Sequence, residues 1–229
     1  MRVLHRDAVL IAVDKPAGVL TVPGRGDDAV PLSAAIRELA PEAMPVHRLD
    51  RDTSGVVVFA LGPSSHRALS AAFEGRRAEK KYAALVRGDL AAARQIDLPL
   101  IEGRKGSMRA ARAGETGLQS STDVEPEERF GAFTYCICSP RTGRTHQIRV
   151  HLAAIGHPLA VDPRYGEPGP LRARELWSGA PDAVALNRTP LHALSLRIPH
   201  PAGGWLLLES PLPEDMSRCL DLLRAARRA

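Results

Sequence analysis

The sequence predicts an α+β protein built around a mixed, largely antiparallel sheet. Three observations carry that reading. Residues 56–61 are an unbroken apolar, β-branched run of the kind found in a buried strand. Residues 31–40 place Leu32, Ala35, Ile36 and Leu39 at the spacing of an amphipathic helix. Strand-like and helix-like segments then follow one another without regular strand–helix–strand alternation, which disfavours a parallel doubly wound sheet. With 229 residues and 44% hydrophobic content the chain can bury a substantial core. Aromatics are only 4%, so that core must be mainly Leu, Val, Ile and Ala.

Taken in order, residues 9–16 read as a short strand ending at Lys15-Pro16. Ala17-Gly18 supplies a turn, residues 19–24 a second extended piece, and residues 24–28 a polar loop. After the helix over 31–40, a polar loop leads into His47–Gly55 and the strand 56–61. Residues 64–80 open with serine caps and carry Leu69, Ala72 and Phe73, predicting a helix. Residues 80–88 form a strand stopped by Gly88, and residues 102–122 an exposed basic loop with hairpin character. Residues 133–140 are a strand. Residues 142–158 start as a turn and become a helix on Ile148, Leu152 and Ile155. Residues 162–190, rich in Pro, Gly and Arg, read as a long surface excursion. A hairpin over 191–201 and 205–211 follows, then a terminal helix with Met216, Leu220 and Leu223 on one side. No internal repeat or linker is visible, so a single domain over residues 1–229 is expected.

Thirty-one Lys and Arg against 26 acids give a net charge of +5 and a pI near 9.5, which suits a polyanionic partner such as RNA. Three cysteines and no signal peptide argue for a reducing cytoplasm. Cys136 and Cys138, two apart in a strand, share a face and read as buried structural thiols. The charged N-terminal stretch is no membrane span.

The densest polar cluster is His47-Arg48-Leu49-Asp50-Arg51-Asp52-Thr53-Ser54-Gly55, directly before the apolar strand. A carboxylate between two arginines stays ionised and can serve as nucleophile or base. A solvated turn with internal ion pairs is the plainer alternative. Asp-Thr-Ser-Gly differs in spacing from the aspartic-protease turn, and the second copy that shared-proton chemistry needs is missing. Arg48 and Arg51 would repel a cation from Asp50 and Asp52. The second cluster is Arg141–His151, containing Arg144, His146, Gln147 and Arg149. His146 and His151 are five residues apart, about 140° around a helix, so they do not share a face as metal ligands at i, i+4 would. A basic turn anchored by Ile148 and Leu152 is the better reading.

These motifs together resemble the RluA-like family of RNA pseudouridine synthases. His47–Asp50 with Asp52–Gly55 resembles the family signature, and Asp14–Gly18 its opening strand-turn. Lys80, Tyr82, Ala84, Val86 and Gly88 are similar to its second motif. Thr142–Leu152 with Gly156-His157-Pro158 is similar to its third, and Leu191-His192-Ala193 with His200-Pro201 to its C-terminal hairpin. Val161-Asp162 departs from the usual Gly-Asp, and residues 102–122 match loosely. The stretch before Val9 leaves no room for the small additional RNA-binding domain of many relatives.

The resemblance implies a cofactor-free isomerisation of uridine to pseudouridine in ribosomal or transfer RNA. It implies that Asp50 is the essential carboxylate, Tyr82 the tyrosine against the flipped base, and Arg149 the partner of the carboxylate, the three meeting in a central cleft. Arg48 is then placed to fill the space left by the base. Arg51, Arg144, His146 and Gln147 become substrate-binding residues, joined by Arg104, Arg109 and Arg112 of the basic loop. A cytoplasmic monomer without metal or membrane attachment is the accompanying expectation.

Overall fold

The computed structural model describes residues 1–24, 28–103, 106–177, 179–180 and 182–228. Arg104 of the expected RNA-binding loop lies outside the described residues. The chain forms two compact units: unit 1 is Met1–Lys81 with Ala193–Pro211, and unit 2 is Tyr82–His192 with Leu212–Ala229.

Unit 1 is assembled on β2 (Leu10–Lys15) and β4 (Ser54–Leu61), whose antiparallel register pairs Leu10 with Ala60 and Lys15 with Gly55. Every residue of β4 is buried, as its β-branched sequence requires of a central strand. β1 (Arg2–Arg6) pairs outside β2, and β3 (Ala43–Pro45) pairs with β4. β13 (Leu191–Pro199) lies beside β4 and forms a hairpin with β14 (Trp205–Glu209). Gly55 is obligatory here: a Cβ on it would sit 2.3 Å from the Ala193 carbonyl oxygen, and its φ is +111°. Helices α1 (Leu32–Leu39) and α2 (Pro63–Glu74) complete the unit, and Leu69 of α2 packs with Leu10, Val56, Val58, Leu196 and Ile198. Helix α2 stops at Gly75, short of the expected residue 80, because Glu79 already enters β5 (Glu79–Arg87).

In unit 2, β5 pairs with β10 (Phe133–Pro140), which pairs with β9 (Thr122–Arg129), which pairs with β6 (Arg94–Ile96), all antiparallel. β7 (Leu100–Glu102) and β8 (Met108–Ala110) make the small hairpin foreshadowed in the basic loop. Helix α3 (Gln147–Ala154) buries Ile148 and Leu152 with Ala84, Val86, Cys136, Cys138 and Leu191. β11 (Leu171–Arg172), α4 (Ala173–Leu176) and β12 (Val184–Leu186) follow. The closing helix α5 (Glu214–Ala226) lays Met216, Cys219, Leu220 and Leu223 against Ala83, Leu85, Leu171 and Leu186.

The α+β class and the mostly antiparallel pairing are as the sequence predicts. Besides the shorter α2, two expectations change. Residues 19–24 are not a strand: the carbonyls of Leu20 and Thr21 accept the first amides of α1, Leu32 N–H and Ser33 N–H, so the segment caps a helix instead of joining a ladder. The stretch 162–190 is not all surface either, since Leu171, Ala173 and Leu186 are buried in the core beneath α5. None of the helices among the described residues is long and apolar enough to cross a membrane.

Candidate active site

The loop 47–53 of unit 1 is fixed through its main chain on both sides of Asp50. Ahead of it, the Thr21 hydroxyl donates to the Leu49 carbonyl at 3.0 Å and accepts the Leu49 N–H at 3.1 Å. Behind it, the Arg51 carbonyl accepts Gly18 N–H at 2.9 Å and the Lys15 ammonium at 2.8 Å. Lys15 is fully buried, and its ammonium also donates to the carbonyls of Pro16 (3.0 Å) and Val19 (2.6 Å). Three carbonyls thus meet the three N–H groups of one cation. The Asp50 carbonyl accepts Thr53 N–H at 3.2 Å, closing the turn into β4. Asp50 is half-buried, while Arg48 and Arg51 are exposed.

His47 belongs to the frame of this loop. Its Nε2 accepts the Val58 N–H of β4 at 3.0 Å, and its ring stacks on Phe73 with centroids 4.6 Å apart. Burial, with the charge of Lys80 adding to it, pushes the imidazole pKa down to about 3, so His47 is neutral at pH 7 and keeps the lone pair that Val58 needs. Burial likewise pushes the Lys80 ammonium down to about 8.

In unit 2 the basic turn 141–147 is held by side chains. The Gln147 amide is buried with all four of its positions filled. Its oxygen accepts the Thr142 hydroxyl (2.7 Å) and Arg144 N–H (3.0 Å), and its nitrogen donates to the Ser121 carbonyl (2.9 Å) and Thr122 Oγ1 (3.0 Å). The Thr122 hydroxyl passes the chain on to His151 Nδ1 at 2.9 Å, and His151 Nε2 donates to the Leu98 carbonyl at 3.0 Å. The carbonyl can only accept, which assigns the neutral Nε2–H tautomer to this fully buried histidine. Burial lowers its pKa, in agreement with that assignment. Gln147 is therefore a brace for the turn. Arg144 and Thr145 stay exposed on it.

Arg149 projects from the same helix and is nearly buried. Its Nε and Nη2 donate to the two oxygens of Asp162, each at 2.8 Å, and its guanidinium lies 5.0 Å from the centre of the Tyr165 ring. Burial alone would raise the Asp162 carboxyl. The Arg149 guanidinium and the amides of Arg164 and Tyr165 outweigh it and hold the group below the usual carboxylate range. This two-point grip fixes the guanidinium plane. Tyr82 stands half-buried at the start of β5 opposite Cys138, packed against the cluster that contains Ile148. His146, the residue before α3, adopts the left-handed conformation at φ +53° and bonds the Tyr165 hydroxyl.

Asp50, Arg48 and Arg51 thus lie on one braced loop of unit 1, and Tyr82, Arg144, His146, Gln147 and Arg149 are contributed by unit 2. The histidines of the second cluster have other occupations: His146 with Tyr165, His151 with Thr122 and Leu98, and His157 with the Arg87 carbonyl. No group of three potential metal ligands is assembled among the described residues. In the basic loop, Arg109 is engaged by both oxygens of Glu115, which also accepts Arg112 N–H. In the sequence Lys15 stands out only as part of the Asp14–Gly18 strand-turn and Asp162 only as part of the Val161-Asp162 pair, with no role attached to either, and Thr21 and Tyr165 carry no local signal at all.

The family described as RNA pseudouridylate synthase matches residues 9–154. The chain is 40% identical to ribosomal large subunit pseudouridine synthase D of Nitrosomonas europaea, over 98% of its length and 65% of the relative's. It is 38% identical to ribosomal large subunit pseudouridine synthase C of Escherichia coli, over 98% of its length and 70% of that relative's. The chain therefore spans about two thirds of these curated relatives. Among solved structures, human RNA pseudouridylate synthase domain containing 4 superposes with a TM-score of 0.78 at 25% identity, covering 97% of this chain and 93% of that one. Human RNA pseudouridylate synthase domain containing 1 gives 0.75 at 28% identity, covering 100% and 94%. A braced aspartate loop, the three motifs in order and matches over nearly the whole chain lead to one conclusion: this chain belongs to the RNA pseudouridylate synthase family.

Proposed function

We propose that this chain converts a uridine of structured ribosomal RNA into pseudouridine, with Asp50 as the essential carboxylate. The observation that carries the reading is the double anchoring of Leu49 and Arg51, which leaves Asp50 on a turn with little freedom of its own. Preorganisation of that kind is what a group acting on a sugar carbon needs. The bacterial relatives, which are ribosomal large subunit pseudouridine synthases, suggest the RNA class. Transfer RNA is the alternative substrate, and the protein works as a cytoplasmic monomer, its two units acting as one catalytic domain.

In the reaction the N1–C1′ bond breaks, the uracil turns, and a C5–C1′ bond forms. The proton lost from C5 is balanced by the one gained at N1, so no oxidant or reductant is consumed. The Asp50 carboxylate acts at the sugar, as nucleophile on C1′ or as acceptor of a sugar proton. Tyr82 supplies a ring against which the extruded base stacks, and a phenol for proton transfer. Arg149, held flat by Asp162, serves as the cation that favours the charged form of the carboxylate. Arg51, Arg144 and His146 contact the RNA backbone.

The deciding measurement is tritium release from ribosomal RNA labelled at uridine C5. The wild type releases it. Asp50→Asn, isosteric but uncharged, loses at least about 10⁴-fold in rate, roughly 5 kcal/mol, with RNA affinity changed only a few fold. Near-normal turnover by that variant would remove Asp50 from the mechanism.

A further inference from the structure

Tyr165 touches three elements of unit 2 at once. Its hydroxyl accepts the Met108 N–H of β8 at 2.9 Å. The same hydroxyl bonds His146 Nδ1 at 2.7 Å. Its ring faces the Arg149 guanidinium at 5.0 Å, and its own N–H donates to Asp162 Oδ1 at 3.1 Å. Behind these contacts Leu100 and Met108 of the hairpin are buried against Val150 of α3, with Tyr165 packed on the same cluster. The β7–β8 hairpin is therefore docked on the helix that carries Arg149, and the phenol is a polar connection between them. His146 adopts its left-handed backbone at this junction, a conformation that is strained for a residue with a Cβ. The hydrogen bond to Tyr165 gives that strained residue a fixed ring position. Gly166 lets the Tyr165 turn close: a Cβ there would stand 3.0 Å from Pro158 Cβ and 3.2 Å from the Leu159 carbonyl.

The hairpin and the segment after it carry exposed arginines, Arg109 on β8 and Arg112 two residues beyond it. Glu115 grips the Arg109 guanidinium with both carboxylate oxygens and accepts the main-chain N–H of Arg112, which ties the backbone after β8 to Arg109. Arginines on an ordered hairpin suit the phosphates of a duplex that flanks the reacting nucleotide.

We propose that Tyr165 is a positioning residue for length-dependent specificity: it transmits engagement of flanking RNA by the β7–β8 hairpin to the Arg149 guanidinium. The inference rests on the reading of Arg149 as a residue of the pseudouridine-forming site. It predicts that the wild type prefers a stem–loop with a long flanking duplex over a minimal loop bearing the same uridine, and that the preference passes through the phenol.

The test is single-turnover tritium release from those two RNAs at fixed salt. Wild type is expected to favour the long RNA about tenfold in kcat/KM, and Tyr165→Phe, which keeps the ring over Arg149, to bring the ratio near one. His146→Gly, which removes the partner and relieves the strained backbone, should collapse the ratio in the same way. Arg109→Ala with Arg112→Ala should lower the rate on long RNA in the wild-type background and lower it no further in Tyr165→Phe, a non-additive cycle. A purely structural tyrosine would instead slow both RNAs by one factor and give additive losses, overturning the proposal. So would equal wild-type rates on the two RNAs. If wild type releases no tritium from any ribosomal RNA, the reading of the site itself fails. An active enzyme whose length preference survives in Tyr165→Phe defeats the coupling alone.

Discussion

The Asp50 loop of unit 1 and the basic turn of unit 2 are both rigid, by opposite means. Around Asp50 the bonds run from Lys15, Thr21 and Gly18 to main-chain atoms, so the identities of the loop residues are left for chemistry. In the basic turn the bonds run side chain to side chain, Thr142 to Gln147 to Thr122 to His151, and the turn's own residues are spent on holding it. A loop braced from outside can present a half-buried Asp50 between the exposed Arg48 and Arg51. A turn braced from inside keeps Gln147 and His151 buried and shows solvent mainly Arg141, Arg144 and Thr145. The two regions should therefore fail differently.

Lys15→Met is expected to have the largest structural effect. It leaves the carbonyls of Pro16, Val19 and Arg51 facing an apolar group, at a cost of about 3 kcal/mol, and it frees the main chain next to Asp50. Chemical denaturation and turnover should fall together. Gln147→Leu also strands polar partners but shares the loss across a network, so its turnover should fall less than its stability. Equal rate losses in the two variants would erase the distinction between external and internal bracing.

Next comes Asp162→Asn. The amide cannot accept on both sides, so the Arg149 grip drops from two points to one. The rate should fall about 30-fold, some 2 kcal/mol, while KM for RNA moves little, because a misoriented guanidinium hurts the reacting centre more than docking. A change confined to KM would place Arg149 in RNA binding instead.

Acid exposes the brace of unit 1. His47 is neutral in the fold, with its pKa at about 3 against 6.5 for the unperturbed imidazole. An unfolded chain takes up a proton below pH 6.5 and the folded one does not. The stabilisation is thus complete above 6.5 and is lost as pH falls from there toward 3. Discounted for partial exposure, about 2 kcal/mol should disappear between pH 6.5 and 4.5. Urea midpoints at the two pH values, compared with His47→Asn, check this. A variant that keeps the full acid sensitivity would assign it elsewhere, to Asp7 or Asp162 for instance, both of which hold their protons less tightly in the fold.

The same contrast explains what could be read from the sequence. Strands such as 56–61 and helices such as 31–40 announce themselves by local periodicity, and the Asp50 cluster by its density of charge. The bracing does not, because Lys15 and Arg51 are 36 residues apart and Asp162 and Arg149 are 13 apart. A lysine looks solvent-exposed in any local window; only the fold converts it into a buried cation among carbonyls. β1 and β9 are hard to read from the sequence for a related reason. Their polar, partly exposed residues give weak apolar alternation, and pairing with β2 and β10 supplies the order.

The smallest effect expected is that of Arg48→Ala, and it depends on substrate. Arg48 is exposed, yet it adjoins Leu49, whose N–H and carbonyl are both held by Thr21. Its Cα is therefore fixed relative to Asp50 while its side chain extends into solvent. If the guanidinium takes the place of the extruded uracil, it offsets part of the few kcal/mol that unstacking costs. An RNA whose target base is already unpaired and unstacked has no such cost to offset. The variant should then be about fivefold slower on the structured RNA, near 1 kcal/mol, and close to wild type on the flexible one. An arginine that only holds phosphate predicts a different pattern, with affinity falling alike on both RNAs and the salt slope shrinking by about one. Single-turnover rates on the two RNAs, with binding measured at several salt concentrations, separate the two. Equal losses on both substrates would turn Arg48 from a substitute for the base into one more backbone contact, and would leave Asp50 as the chief chemical cargo of the externally braced loop.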